Sequence, residues 1–559
     1  MKQICANLLR MEIASGGNNM SLMGGLYVGL SGLQMGQNAL NTTAHNMANV
    51  DTTGYTRQQV QQGTRIYNTI STSASAVAYQ QIGLGVNYSQ VKQVRDVFLD
   101  RAYRRESGRS GFYDTFAAAV EEVEDIFQEL QGASFAKTIE NLWDSVEELA
   151  KDPANSVNQS VFVQRCNEFL TRSQAVYQGL SEYQDNLNNK IIRQVDTINA
   201  YGKRIAELNL EIQKIESGQV EKANDLRDER NQLIDELSTM AYIDCKTDAS
   251  GNILIQLEGK DFVRSESANE IGLDYDENGF ATPYWTQLAK TKMVNGVKTV
   301  TSIEGAEVFN MNRVISSSAN TDIGSLKAMM YARGDHRATF RDMDNAGTYN
   351  RSISQSVIMN VQAEFDNLVH LITTGINDIF KTAAENASKD NPDSDYMRDP
   401  DTKEPYTIFN VRSEVYGTDK DFTTQNIIIN GVIKQAPTLL GFKKDDGKVD
   451  QETADALKDL FMNEEYNVNP NIKTKTNFIH YYDDMVSLVA NDGYVLRGIS
   501  ENQQITVDKV AAAREQILGV SSDEEMSNMV MFQNAYNAAS RYINTVSEML
   551  EHLISALGR

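Results

Sequence analysis

Residues 529–557 read MVMFQNAYNAASRYINTVSEMLEHLISAL, and their spacing decides the fold. Met529, Phe532, Tyr536, Ala539, Ile543, Val546, Leu550, Leu553 and Leu557 recur at alternating steps of three and four. That alternation marks a helix that buries one narrow stripe against another helix. A matching stripe lies at the other end of the chain: Leu26, Leu30, Leu33, Gln37, Leu40, Ala44 and Met47, with Gln37 its one polar lapse. Two such stripes predict that the chain ends pair with each other or with neighbouring subunits. A protein with its apolar edges at both termini is expected to be a part of an assembly.

The N-terminal stripe shares its segment, 21–47, with Gly24, Gly25, Gly29, Gly32 and Gly36. Each glycine costs a helix about 1 kcal/mol relative to alanine. This helix is therefore expected to be disordered alone and to form when its stripe finds a partner. Asp51-Thr52-Thr53-Gly54 reads as a turn, and the Gln-, Thr-, Val- and Tyr-rich residues 58–95 as extended segments. Helical spacing then runs from Val97 to about Ser238. Phe112, Phe116, Val120, Val123, Phe127 and Leu130 mark one helix. Ile139, Leu142, Val146 and Leu149 mark another, stopped before Pro153. A long helix follows over about 160–216, and Asn224 reads as the cap of a shorter one.

The pattern changes at Ala241. Asp248–Asn252 before Ile253–Leu257 reads as a hairpin turn and strand, and strand-like sequence continues to about Asn320. Helical spacing returns at 323–333 and 351–385, loop and strand at 386–445, and helix from 451 to the end. Gly519 interrupts that last stretch, and Ser522-Asp-Glu-Glu525 restarts it as a capping box. The predicted fold is α+β and multidomain: a terminal helical coiled coil and an elongated helical bundle enclosing β-rich insertions. The terminal assembly domain takes 20–60 with 520–559. The helical rod takes 61–240 with 322–385 and 446–519. The insertions are 241–321 and 386–445. Such nesting predicts both termini at one end of the rod and the insertions at the other. Residues 1–19 read as a start-site extension: Ser15-Gly16-Gly17 can be encoded by a purine-rich ribosome-binding stretch ahead of Met20, which leaves Met1 and Met20 both open as the start.

Composition narrows the function. A hydrophobic content of 41% supports a real core. A net charge of −24 argues against nucleic-acid binding, which needs a basic footprint. No apolar run approaches the length of a membrane span, so no membrane insertion is expected. Cys5, Cys166 and Cys245 are too few and too far apart for a zinc site or a disulfide framework. Asp274–Gly279 starts like a calcium loop, but Trp285 fills the twelfth position, where a bidentate glutamate is needed, so a hairpin turn is expected. Asp335-His336-Arg337 has no second histidine near it. No catalytic, cofactor-binding or metal-binding residue is therefore assigned, and a structural, non-enzymatic role is expected. The acidic runs Glu121–Asp125 and Asp523–Glu525 read as solvated faces, the second also suiting a helix N-terminus.

The segment from Ala44 to Gln58, AHNMANVDTTGYTRQ, resembles the signature of the bacterial flagellar axial proteins: the rod, hook and hook-associated proteins. Asn46, Asn49, Gly54, Tyr55, Arg57 and Gln58 carry that likeness, while Thr53 stands where the family often has proline. The end of the chain, Glu524 to Leu550, is similar to the family's C-terminal helix. Asp225–Ile234 and Phe98-Leu99-Asp100-Arg101 point to the hook-associated branch. The resemblance implies export without a cleaved signal through the flagellar type III channel and an extracellular place at the hook–filament junction. It implies a ring of copies between the hook protein and hook-associated protein 3. A cytoplasmic export chaperone would cover the C-terminal helix. The expected assembly surface is Leu26, Leu30, Leu33, Leu40 and Met47 with Met529, Phe532, Tyr536, Ile543, Val546, Leu550, Leu553 and Leu557. The hook protein, hook-associated protein 3 and, from a different class, a non-flagellar coiled-coil tether remain as alternatives.

Overall fold

The computed structural model describes residues 22–65, 68–72, 79–128, 135–218, 221–294, 297–311, 313–391, 393–412 and 422–557. The expectations for residues 1–19, Cys5 and Leu130 lie outside these. Helix α1 (Leu22–Ala48) opens the described chain. A long, broken β-hairpin follows: β1 (Gln58–Thr64) pairs antiparallel with β4 (Val86–Gln93), and β2 (Asn68–Thr72) with β3 (Tyr79–Ile82). Four helices build the first half of the rod: α2 (Val97–Gln128), α3 (Phe135–Lys151), α4 (Ser156–Glu216) and α5 (Asn224–Met240). At ~1.5 Å per residue, α4 alone spans about 90 Å and sets the length of the rod. Its start is fixed by Asn155, whose Oδ1 accepts from the Val157 N–H at 2.9 Å.

The first insertion carries β5 (Ile243–Thr247), β6 (Ile253–Leu257) and β7 (Lys260–Val263) as a three-stranded sheet. The hairpins β8 (Ile271–Tyr275) with β9 (Ala281–Trp285), and β10 (Lys290–Val294) with β11 (Val297–Ser302), follow it. The chain returns to the rod through α6 (Ser325–Arg333) and α7 (Val357–Asp390). The second insertion holds the short pair β12 (Phe409–Val411) and β13 (Ile427–Ile429). Helices α8 (Gln451–Met462), α9 (Phe478–Leu518) and α10 (Ser522–Leu557) complete the chain. Phe127, Phe135, Phe169, Phe365 and Tyr482 interlock in the rod core with ring centroids 5.0–6.2 Å apart. No helix among the described residues is long and apolar enough to cross a membrane.

Several expectations need correction. The stretch from 451 to the end is not one helical run, because 463–477 is irregular around Pro470, where the missing N–H and fixed φ stop helix propagation. Asn224 does not cap α5. It is the first helical residue, the cap is Ala223 with no side-chain bond, and the buried Asn224 offers its carbonyl to Gln93 Nε2 at 3.0 Å. The cap of α10 is Ser521, whose Oγ accepts from the Glu524 N–H at 3.4 Å, so Ser522 is already inside the helix.

The second insertion lies by the start of α4, the end of the rod away from the chain ends, where Gln159 donates to Gly441 O at 3.4 Å. The first does not sit at that end; it rides on the side of the rod, because α4 carries amides that grip it. Asn188, Asn199 and Asn209 donate to the carbonyls of Gly279, Ile271 and Ile253 at 2.8–3.0 Å. They accept in return from the N–H groups of Ala281, Ile271 and Ile253 at 2.8–3.2 Å. Gln174, further toward the start of α4, donates to Ile427 of the second insertion at 2.8 Å. The first insertion therefore lies beside the half of the rod nearer the chain ends.

Candidate assembly surface and the joint beneath it

Helices α1 and α10 pack antiparallel on each other, so the partner that the glycine-rich α1 requires is supplied by its own chain. The contact is made by small residues. Gly25, Gly29, Gly32 and Gly36 face Val546, Ile543, Ala539 and Tyr536 in turn. A Cβ placed on Gly29 would come within 2.6 Å of Ile543 Cγ1, and one on Gly36 within 3.2 Å of Tyr536 Cα. Ala39, Thr43 and Asn46 continue the seam, all buried. The glycines that weaken α1 as an isolated helix thus let the two helices approach closely, most tightly at Gly29 and Gly36.

This small-residue seam runs one position ahead of the leucine stripe, so the leucines lie about 100° around the helix from it. Leu26, Leu33, Leu40 and Met47 are half-buried on that flank, and Leu30 is 46% exposed, with Tyr27 beside them at 59%. On α10, Val546 is buried, and Met529, Phe532, Tyr536, Ile543 and Leu550 are half-buried. Leu553 is 38% exposed, and the side chain of Leu557 lies outside the described residues. Met526, Val530, Met531, Met549 and Ile554 add apolar surface around α10. The pair thus carries apolar side chains on several faces open to solvent.

Behind the pair lies a joint built from the Gly-Tyr-Thr-Arg-Gln turn. Gly54 takes φ +83°, the left-handed region. Asn46 holds the turn: its Nδ2 donates to Gln58 O at 2.8 Å, and its Oδ1 accepts from Gln58 N at 3.0 Å and from the Tyr55 hydroxyl at 2.8 Å. Burial, then the charges of Asp228, Asp225 and Glu525, raise the Tyr55 pKa and keep that hydroxyl a donor. Asn49 closes the end of α1 by donating to His45 O at 3.0 Å. Thr56 donates from N and Oγ1 to Asp228 of α5, at 3.2 and 2.6 Å.

Arg57 reaches the other chain end. Its N–H donates to Leu518 O at 2.8 Å, and its guanidinium pairs with Glu524 and Glu525 at 2.9 Å each. The Glu525 side chain is 3% exposed, so it is not part of a solvated face as expected but a buried partner of Arg57. Below this, Asp100 accepts from Arg95 and Arg514 at 2.9 and 2.8 Å, and Arg514 and Arg104 share Asp235 at 2.6 Å each. Burial opposes the charge of Asp100, but the Arg95 hydrogen bond and the charges of Arg95, Arg514 and Arg104 outweigh it and lower its pKa. These pairs knit α1, the β-hairpin, α2, α5, α9 and α10 at one point.

Two stretches weighed for chemistry serve structure. Asp276–Gly279 is the turn between β8 and β9, with Asp276 Oδ1 accepting from the Asn278 and Phe280 N–H groups. His336 stands between Asp335 and Asp342, at 2.6 and 3.2 Å, and these two acceptors outweigh burial and raise its pKa to about 10. Spacing alone did not reveal Asp228, Arg514 and Glu525, whose partners are distant in sequence, or the reach of Asp100 to Arg514. The glycine seam, in contrast, keeps the same three-and-four step as the stripes and was open to reading.

Three family models match the chain: the flagellar hook-associated protein FlgK helical domain over residues 120–386, the flagella basal body rod protein over 26–56, and the flagellar basal body rod FlgEFG protein C-terminal region over 516–556. The flagellar hook-associated protein 1 of Bacillus subtilis is 25% identical over 543 residues, covering 96% of this chain and 98% of its own. That of Escherichia coli is 22% identical, covering 94% and 98%. The solved structure of the flagellar hook junction protein FlgK from Burkholderia pseudomallei overlaps 56% of this chain and 46% of its own, at 17% identity and a TM-score of 0.39. The two short matches fall on α1 with its turn and on α10, the long one on the rod and first insertion, and the relatives span nearly the whole chain: from end to end it is similar to flagellar hook-associated protein 1.

Proposed function

We propose that this chain is the structural subunit that joins hook to filament in a bacterial flagellum, and that its work is geometric rather than catalytic. The observation that carries the reading is the α1–α10 pair: glycines seal it from inside, while leucine, methionine and tyrosine side chains stay open outside. Copies packed side by side through those open faces form a ring, with the terminal helices as the inner wall and the insertions outward. Burying a large apolar side chain is worth about 1.5–3 kcal/mol, so a few per copy offset the ordering cost of assembly. The hook protein below and hook-associated protein 3 above are the proposed axial neighbours. Export is through the flagellar type III channel, with a cytoplasmic chaperone holding the apolar face of α10 until then.

Leu30→Asp with Leu553→Asp tests this, because both positions are exposed enough to accept a carboxylate in the single copy. The expected result is a folded protein, hooks without filaments, and loss of swimming. Swimming at the wild-type level would count against the terminal surface. A peptide of residues 522–557 is expected to retain a small helical chaperone from the cytoplasm, and its failure to do so would remove the chaperone from the account.

A further inference from the structure

We propose that the free edges of the β1–β4 hairpin pair with the same hairpin of neighbouring copies, the β1 edge of one against the β4 edge of the next. The idea rests on the ring reading above and adds a second, β-type contact to it. The sheet has two strands, and among the described residues neither outer edge has a main-chain partner. Sheet edges left in solvent are normally blunted by proline, by charge or by a covering element. Residues 58–93 contain no proline, aspartate or glutamate, and only Arg65 and Lys92 are charged. The edges are blunted only lightly: by Lys92 on β4, by Asn46 and Ser31 of α1 at Gln58 and Val86, and by a bulge between Gln61 and Gln62 that shifts the register but adds no charge.

Charge selects the occupant. Each copy carries −24, so two copies repel wherever acidic surfaces meet. Between Thr52 and Arg95 there is no carboxylate, and this is where like chains approach at least cost. Gln59, Gln61 and Gln62 are exposed on β1, and Gln90 Nε2 already donates to Gln61 Oε1 across the pair at 2.9 Å. A second hairpin would extend that row of amides. The hairpin is also fixed to α1, through Ser31 Oγ accepting from Val86 N at 3.2 Å and through Asn46 at Gln58. A neighbour seated on the open side of α1 therefore brings its own hairpin to the same level. Opposite edges meet because a ring repeats one rotation and needs a head-to-tail contact.

The test uses cells that make two full-length variants together, Gln61→Cys and Gln90→Cys, and a short thiol-to-thiol cross-linker on isolated hook–filament structures. Dimers of this chain are expected only when both variants are present, and Gln59→Glu with Gln61→Glu and Gln90→Glu added to the pairing surface should lower a reporter cross-link between the outer helices about fivefold. Absence of dimers with the chain in place and filaments attached overturns the edge contact alone. Dimers from either variant by itself, or linkage to a different protein, also overturn it. Absence of the chain from the hook–filament boundary overturns the ring reading and this contact together.

Discussion

Arg57, partly exposed, and Glu525, buried, lie far apart in sequence and meet as a pair, so removing the arginine strands the carboxylate. Arg57→Ala is expected to destabilise the joint by about 3 kcal/mol, because it leaves the Glu525 carboxylate buried without its cation. Adding Glu525→Gln should restore much of the loss, and a double-mutant cycle in denaturant reads that coupling directly. Additive losses would show that the pair is incidental. Glu364 of α7 behaves differently. It is fully buried among Tyr349, Asn360 and Asn469, and burial, its largest influence, raises its pKa from 4.5 to about 7. The folded state then holds this proton more tightly than the unfolded one. Its contribution is complete below pH 4.5 and is lost as pH rises through about 7. Glu364→Gln should flatten that fall and raise stability at pH 8 by about 3 kcal/mol at most, as read from unfolding midpoints at pH 5 and pH 8. An unchanged pH profile would contradict the burial of a protonated acid there.

At the scale of the element, α1 carries two stripes, and each answers to a different partner. Gly24 and Gly36 separate the effects of helix propensity and contact. Gly24→Ala meets no atom within 4 Å and should stabilise the helix by up to about 1 kcal/mol. Gly36→Ala gains the same propensity but drives its Cβ against the Tyr536 backbone, which cannot turn aside as a side chain would. It should open the α1–α10 pair, seen as faster hydrogen exchange in both helices. Equal protection in the two variants would contradict the glycine seam. The sequence made both terminal helices, the rod helices, the β5–β6 hairpin and the Ile427–Ile429 strand legible, since each depends on local period or turn chemistry. The cap of α10 slipped by one residue because Ser521 and Ser522 compete for the same role, and that of α5 because Ala223 takes the place with no side-chain bond to mark it. The glycine seam beside the leucine stripe keeps the same three-and-four step, a regularity that hydrophobic spacing passes over because it gives no weight to glycine.

At the scale of the molecule, one long helix organises everything else. Asn188, Asn199 and Asn209 hang the first insertion on α4, and Gln174 the second. Changes of periodicity mark where helix gives way to strand and returns, but not where the first insertion sits along the rod, since amide grips between distant residues leave no periodic trace. The charge joint around Asp100 was illegible for the same reason: Arg514 and Asp235 are remote in sequence from it. That joint ties the terminal pair to the rod. Whether the terminal helices pair within one copy, leaving their apolar flanks for neighbours, is the point on which the account turns. The direct test is Gly32→Cys with Ala539→Cys in the purified single chain, where the Cβ positions lie 3.4 Å apart, close to disulfide reach. Mild oxidation should give an intrachain bond and a monomer on non-reducing gels. Dimers alone, or free thiols throughout, would contradict it.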